Sequence, residues 1–303
     1  MSTEATPRPA GTIYDLGYKR YAGARRSSAT RWRVLMRNQV ATAWKTWWRY
    51  RSHLAYAVGT TLIAGAVMYI FSERIARSLI GDKATTFADA ALPLSIQWYT
   101  RAGFLVSLTV GARIVASDIQ AGAFTFYFAR SVRPRDYIIG KLAGMCVLTA
   151  GVCLAGPVLL SIARLGLSSD TDALVHALAL VPKAIAIGLL GALVFAAVPM
   201  AFSSLLANGR YAVALWTAYY LVFGQIVSGI GRGSQGWIGA LDIATSLDSV
   251  AFHLFGLESF PGRAVNVAAG PALASLLVHI AVALVIVSVQ VRRAQGSGVG
   301  GAT

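Results

Sequence analysis

Six stretches of this chain are long and apolar enough to cross a lipid bilayer, and this constrains the fold more than any other feature. They run approximately over His53–Phe71, Trp98–Ser117, Tyr137–Ala163, Leu174–Ala201, Tyr211–Gly229 and Val267–Val291. A helix needs about 20 apolar residues to cross the hydrocarbon core. With no water available there, a spanning segment must satisfy its own backbone hydrogen bonds. The expected fold class is therefore an all-α integral membrane protein with six transmembrane helices. Composition agrees: 56% of the 303 residues are hydrophobic and 13% are charged, about half the charge of an ordinary soluble domain.

The net charge is +15. Its distribution argues against a nucleic-acid partner, because the basic residues lie beside the spans. Eleven Lys/Arg precede residue 52. Five more lie at Arg113, Arg130, Arg133, Arg135 and Lys141, and Arg210, Arg292 and Arg293 bring the total on one side to 19 of 27. Eight of the 12 acids fall on the other side. Basic residues near span ends mark the cytoplasmic face, so both termini are expected inside. Residues 1–52 then form a cytoplasmic N-terminal segment, 53–291 the transmembrane domain and 292–303 a flexible tail. No cleavable signal peptide is read at the N-terminus. Cys146 and Cys153 are separated by about 10 Å along one helix and cannot bridge each other.

Two further elements are expected. Trp237–Gly256 is long enough to cross but carries Asp242, Asp248 and His253, and charge at mid-membrane is costly. It reads as a re-entrant or interfacial element before the last span. Over Arg31–Arg51, Trp32, Leu35, Met36, Val40, Ala43, Trp44 and Trp47 fall on one helical face. That pattern predicts an amphipathic helix lying flat on membrane lipid, with Trp32, Trp44 and Trp47 at headgroup depth.

Motifs for chemistry are missing. There is no phosphate-cradling G-x-x-x-x-G-K-[ST], no H-E-x-x-H, no C-x-x-C and no G-x-S-x-G. The four histidines are scattered, so neither a catalytic nor a metal site is expected. Gln225 and His279, inside the fifth and sixth spans, either line a substrate path or bond a neighbouring helix. Arg101 and Lys183 are placed to snorkel outwards. Pro157, Pro182 and Pro199 predict helix kinks.

The connection between the second and third spans is unusual: "SDIQAGAFTFYFARSVRPRDYIIGKLAG" (Ser117–Gly144). Ser117 or Asp118 is expected to cap a helix there. Phe124, Phe126, Tyr127 and Phe128 cover more than one helical face, which predicts a protein partner, and Gly122 would let a backbone approach closely. The stretch resembles the coupling-helix region of ABC type-2 transporter permeases. Asp118, Gly122, Phe124, Val132, Arg135, Asp136, Gly140 and Lys141 match the loose family pattern; Thr125 and Ser131 depart from its usual glutamate and proline. "IYDLGYKRYAGARRS" (Ile13–Ser27) also resembles the N-terminus of a subset of these permeases.

The resemblance implies a bacterial inner-membrane exporter subunit that pairs with a second permease subunit, identical or paralogous. A separate ATP-binding-cassette subunit would bind ATP and magnesium, with no cofactor on this chain. Asp118, Gly122, Phe124, Phe126, Tyr127, Arg130, Arg133 and Arg135 would couple to that ATPase. The alternatives are a secondary transporter or channel without an ATPase, or a membrane-embedded enzyme.

Overall fold

Every long apolar run becomes a helix in the computed structural model, which describes residues 30–45, 50–72, 78–79, 81, 83–129, 132–168, 171–233, 237–257 and 267–299. Six helical segments are long and apolar enough to cross a membrane: Arg51–Phe71, Ala90–Gln120, Pro134–Gly166, Thr171–Leu205, Gly209–Gly231 and Ala269–Gly296. No strand occurs among the described residues. The expected Trp47, Arg130, Ile13–Ser27 and the last four residues lie outside the described residues.

The helices are α1 (Arg31–Lys45), α2 (Arg51–Ser72), α3 (Lys83–Thr109), α4 (Ala116–Gln120), α5 (Ala123–Ala129), α6 (Pro134–Cys153), α7 (Ala155–Gly166), α8 (Thr171–Leu205), α9 (Gly209–Thr217), α10 (Gly224–Gly233), α11 (Ile243–Phe255) and α12 (Ala269–Val299). The fourth span, α8, is the hub. Sixty-seven per cent of its most apolar stretch is buried, against 17% in the first span, 22% in the fifth and 28% in the sixth. It packs on α6, α7 and α12. Lipid tails are as apolar as leucine, so close packing and polar contacts must hold such a bundle together. Thr149 donates from α6 to the Ala192 carbonyl at 2.9 Å. Trp216 Nε1 donates to Ser107 Oγ at 2.9 Å, and the Thr61 and Tyr99 hydroxyls are 2.7 Å apart.

The third span breaks at Leu154, between α6 and α7. Pro157 has no N–H to offer the Cys153 carbonyl four residues earlier. Gly188 of α8 fills the gap: a Cβ there would come within 2.8 Å of Leu154 Cα and 2.9 Å of the Cys153 oxygen. Pro182 and Pro199, by contrast, lie inside α8, whose helical run continues past both.

Trp237–Gly256 does not form a seventh continuous helix. It divides at Asp242 into a 3-10 turn (Ile238–Leu241) and the 13-residue α11. Asp242 is buried because it caps α11, accepting the Thr245 N–H at 3.1 Å and the Ala244 N–H at 3.3 Å. Asp248 accepts from Gln97 Nε2 at 3.0 Å, and His253 Nδ1 donates to the Ser249 carbonyl at 2.8 Å. Each polar group that argued against a span thus has a partner inside the bundle. The tail differs from expectation: the helix continues through Arg292 and Arg293 to Val299. Val291 is buried, Ala294 packs on the core, and α5 lies against α12.

The span ends alternate. His53, at the start of the first span, lies 3.3 Å from Thr109 at the end of the second. Ser203, near the end of the fourth, accepts the Val115 and Ala116 N–H groups at 3.0 Å each. The start of the third span meets Asp118, and the start of the fifth meets Arg113. Both ends of the chain's span set therefore share one end of the bundle, the basic end.

Candidate functional site

At the basic end, the second span runs through a 3-10 turn (Gly111–Arg113) directly into α4. No free helix start is created, so neither Ser117 nor Asp118 caps α4. The N-cap is Val115, and the side chain that meets the local N–H groups is Ser203 of α8. Asp118 is left for other partners. Its carboxylate lies 2.7 Å from the Lys141 ammonium and accepts the Tyr137 hydroxyl at 2.7 Å. Lys141 also donates to the Ile114 carbonyl at 3.3 Å. These contacts join the end of one span to the first turns of the next. Asp136 closes α6 by accepting the Arg133 N–H at 3.3 Å, with Pro134 as first helical residue.

Gly122 joins α4 to α5 with φ +62°, a conformation that L side chains avoid. A Cβ there would meet nothing within 4 Å. Within this chain the glycine serves the turn, not the close approach of another backbone.

The aromatic residues of α5 separate into two groups. Phe124 is buried, with its ring edge-on to the fully buried Tyr137 at 5.1 Å and stacked on Phe128 at 5.5 Å. Tyr127 also leans on Tyr137, at 5.6 Å. Burial, and then the Asp118 charge, hold the Tyr127 phenol above its ordinary range, so it is a neutral ring near pH 7. Phe126 faces outward and is 71% exposed. Of the four rings expected to exceed what a lipid surface takes up, Phe126 is the one left most exposed. Tyr137 and α12 supply an internal apolar wall, which takes up Phe124, Phe128 and part of Tyr127. Arg133 and Arg135 are exposed at the start of α6.

The helix α1 packs along α6. A Cβ on Gly140 would come within 2.8 Å of the Trp32 oxygen and of Leu35 Cβ, and one on Gly144 within 2.8 Å of Gln39 Cδ. The two glycines, four apart, form a cradle of the small-xxx-small kind. Gln39 and Ala43 are buried at the centre of the contact, and among the described residues neither polar atom of the Gln39 amide has a hydrogen-bond partner. The apolar face read from the sequence is therefore largely occupied by α6. Trp32 is half-buried, and Trp44, 47% exposed, carries the Arg51 guanidinium over its ring at 5.0 Å.

Within the spans, His279 Nδ1 donates to the Ser275 carbonyl at 2.7 Å. In the neutral ring this leaves Nε2 to accept from the Tyr219 hydroxyl, 2.5 Å away. His279 thus links the sixth span to the fifth. Tyr219 sits on a π-helical turn, Ala218–Phe223, within an aromatic cluster that includes Trp216, Phe202 and Phe223. Sequence reading missed this turn. Such turns recur at functional sites, but their hydrogen-bond shift leaves no residue pattern to read. Gln225 is exposed on α10. Arg101 lies over the Trp98 ring at 4.2 Å. Among the described residues, no group of three or more His, Cys, Asp or Glu is arranged to hold a metal ion.

No family model matches the chain, and no curated protein matches it.

Proposed function

We propose that this chain is the permease subunit of an ABC type-2 transporter, forming a transmembrane substrate path and coupling it to a separate ATPase subunit, for export. One observation carries the proposal. The helix pair α4–α5 stands at the basic end, fixed to the bundle by Asp118, Lys141 and Tyr137, with Phe126 presented outward. A lever needs a rigid attachment and a free contact face. The attachment reaches three spans, because Ser203 of the fourth holds the start of α4.

In this reading Phe126, Arg133 and Arg135 meet the ATPase. Asp118, Gly122, Phe124 and Tyr127 act behind them by fixing the lever. ATP and magnesium bind the partner, whose closure pushes α4–α5 and shifts the spans between two packings. The basic end faces the cytoplasm of a bacterial inner membrane. The largely unburied first, fifth and sixth spans meet lipid and a second permease subunit, while Trp32 and Trp44 sit at headgroup depth.

The test is purification of the tagged chain from its native host in mild detergent. An ATP-binding-cassette ATPase co-purifying at equal stoichiometry supports the reading. A chain that purifies alone and transports in liposomes without ATP contradicts it.

A further inference from the structure

A cavity of about 820 Å³ opens at the basic end between α1, the 3-10 turn, α4 and the start of α9. Its walls carry three cationic side chains, Arg113, Lys141 and Arg210, and one carboxylate, Asp118. Lys141 and Asp118 neutralise each other at 2.7 Å. Neither Arg113 nor Arg210 has a carboxylate partner among the described residues. Among the described residues, the cavity thus carries two guanidinium groups that no carboxylate pairs. Arg113 packs across Gly209, the first residue of α9: a Cβ there would lie 3.4 Å from Arg113 Cγ. That glycine brings the arginine up to the positive end of the α9 dipole, where Asn208 accepts the Arg210 N–H at 2.9 Å. Asn38 and Thr42 of α1 add polar groups to the opposite wall.

We infer that this cavity binds a phosphate-bearing group, either the headgroup of an anionic lipid or a soluble phosphate ester. Guanidinium groups match phosphate oxygens with two parallel N–H donors, and a helix start adds favourable field. Basic pockets between spans at the cytoplasmic surface take anionic headgroups for this reason. The cavity has the volume of a small-molecule site, larger than a bare phosphate needs. It also lies at the ends of the candidate membrane spans Ala90–Gln120 and Gly209–Gly231. Because Lys141 already satisfies Asp118, the one carboxylate in the wall does not repel an incoming anion. The inference rests on the bundle end itself and holds whether or not the chain works with an ATPase.

The experiment measures binding to the purified full-length chain in uncharged maltoside detergent. The probes are phosphatidylglycerol, phosphatidylcholine, glycerol 3-phosphate and inorganic phosphate. The wild type should bind phosphatidylglycerol in preference to phosphatidylcholine. The double variant Arg113→Gln/Arg210→Gln should bind it about tenfold more weakly or worse. Asn208→Asp keeps a capping oxygen but adds negative charge to the wall; it should also weaken binding while leaving the unfolding midpoint in place. Arg37→Gln/Arg292→Gln removes two exposed arginines outside the cavity and should change binding less than twofold. Binding of glycerol 3-phosphate or inorganic phosphate alone, lost in the same variants, assigns the site to a soluble ester. Equal losses in both double variants, or full binding in Arg113→Gln/Arg210→Gln and Asn208→Asp, overturn the inference.

Discussion

Asp118 and Lys141 lie 2.7 Å apart across the connection between the second and third spans, in side chains only 15% and 12% exposed. The same carboxylate accepts the hydroxyl of the fully buried Tyr137. Breaking one side of such an arrangement leaves charged or polar groups without partners, which costs more than the net worth of the pair. Asp118→Ala is expected to destabilise the chain by about 2–4 kcal/mol. Asp118→Asn, which still accepts the Tyr137 hydroxyl, should cost less. Denaturation midpoints of both variants in mild detergent check the order, and an equal cost for the two would mean that the Tyr137 hydrogen bond contributes nothing and the loss of the Lys141 pair carries the whole effect.

The Gly140–Gly144 cradle predicts a backbone-approach effect. Gly140→Val must push the Trp32 carbonyl, and with it α1, away from α6. Overpacking of this kind costs about 1–3 kcal/mol. Limited proteolysis should then cut within Arg31–Lys45 faster than in the wild type. Gly166→Ala, where a Cβ meets nothing within 4 Å, should leave the digestion pattern unchanged.

Alternating span ends place Gln120 and Thr171, both exposed, at opposite ends of the bundle, so six crossings put them on opposite sides of the membrane. Single cysteines at these positions separate them, because Cys146 and Cys153 lie inside the third span. Thr171→Cys should react with an impermeant maleimide in intact cells, and Gln120→Cys only after lysis. Labelling of both from outside would break the six-span topology.

Tyr219→Phe removes the donor that His279 Nε2 receives. Hydrogen bonds between membrane helices contribute about 0.6 kcal/mol on average, with a maximum near 1.7. The variant should lower the unfolding midpoint by a correspondingly small amount. If His279→Ala in the Tyr219→Phe background costs as much as it does alone, the bond contributes nothing.

The sequence shows some of this directly and hides the rest for physical reasons. Six spans were legible because crossing length depends on apolar composition alone. Asp242 and Asp248 correctly argued against a seventh span, though not how each would be satisfied: Asp242 as a cap and Asp248 by Gln97. Phe124 and Phe126 look alike in sequence. Which one is buried depends on where Tyr137 and α12 sit, a tertiary fact. Gln39 fell outside the apolar face because it is polar, yet it is buried there, since Gly144 leaves the space its amide occupies. Asp118 and Lys141 could be read as matches to a family pattern. Their contact could not, because 23 positions separate them.

In the proposed function, α5 presents Phe126 to an ATPase while Phe124 holds α5 to the bundle. The most direct measurement pairs Phe126→Ala with Phe124→Ala, scoring co-purified ATP-binding-cassette ATPase and the unfolding midpoint of each permease. Phe126→Ala should lose most of the partner, a cost of about 2 kcal/mol in association. Its midpoint should stay within about 0.5 kcal/mol of wild type, as for a surface position. Phe124→Ala should be less stable by about 3 kcal/mol or more. Full ATPase recovery with Phe126→Ala, together with an unchanged midpoint, would contradict the account and make α5 a lipid-facing connection.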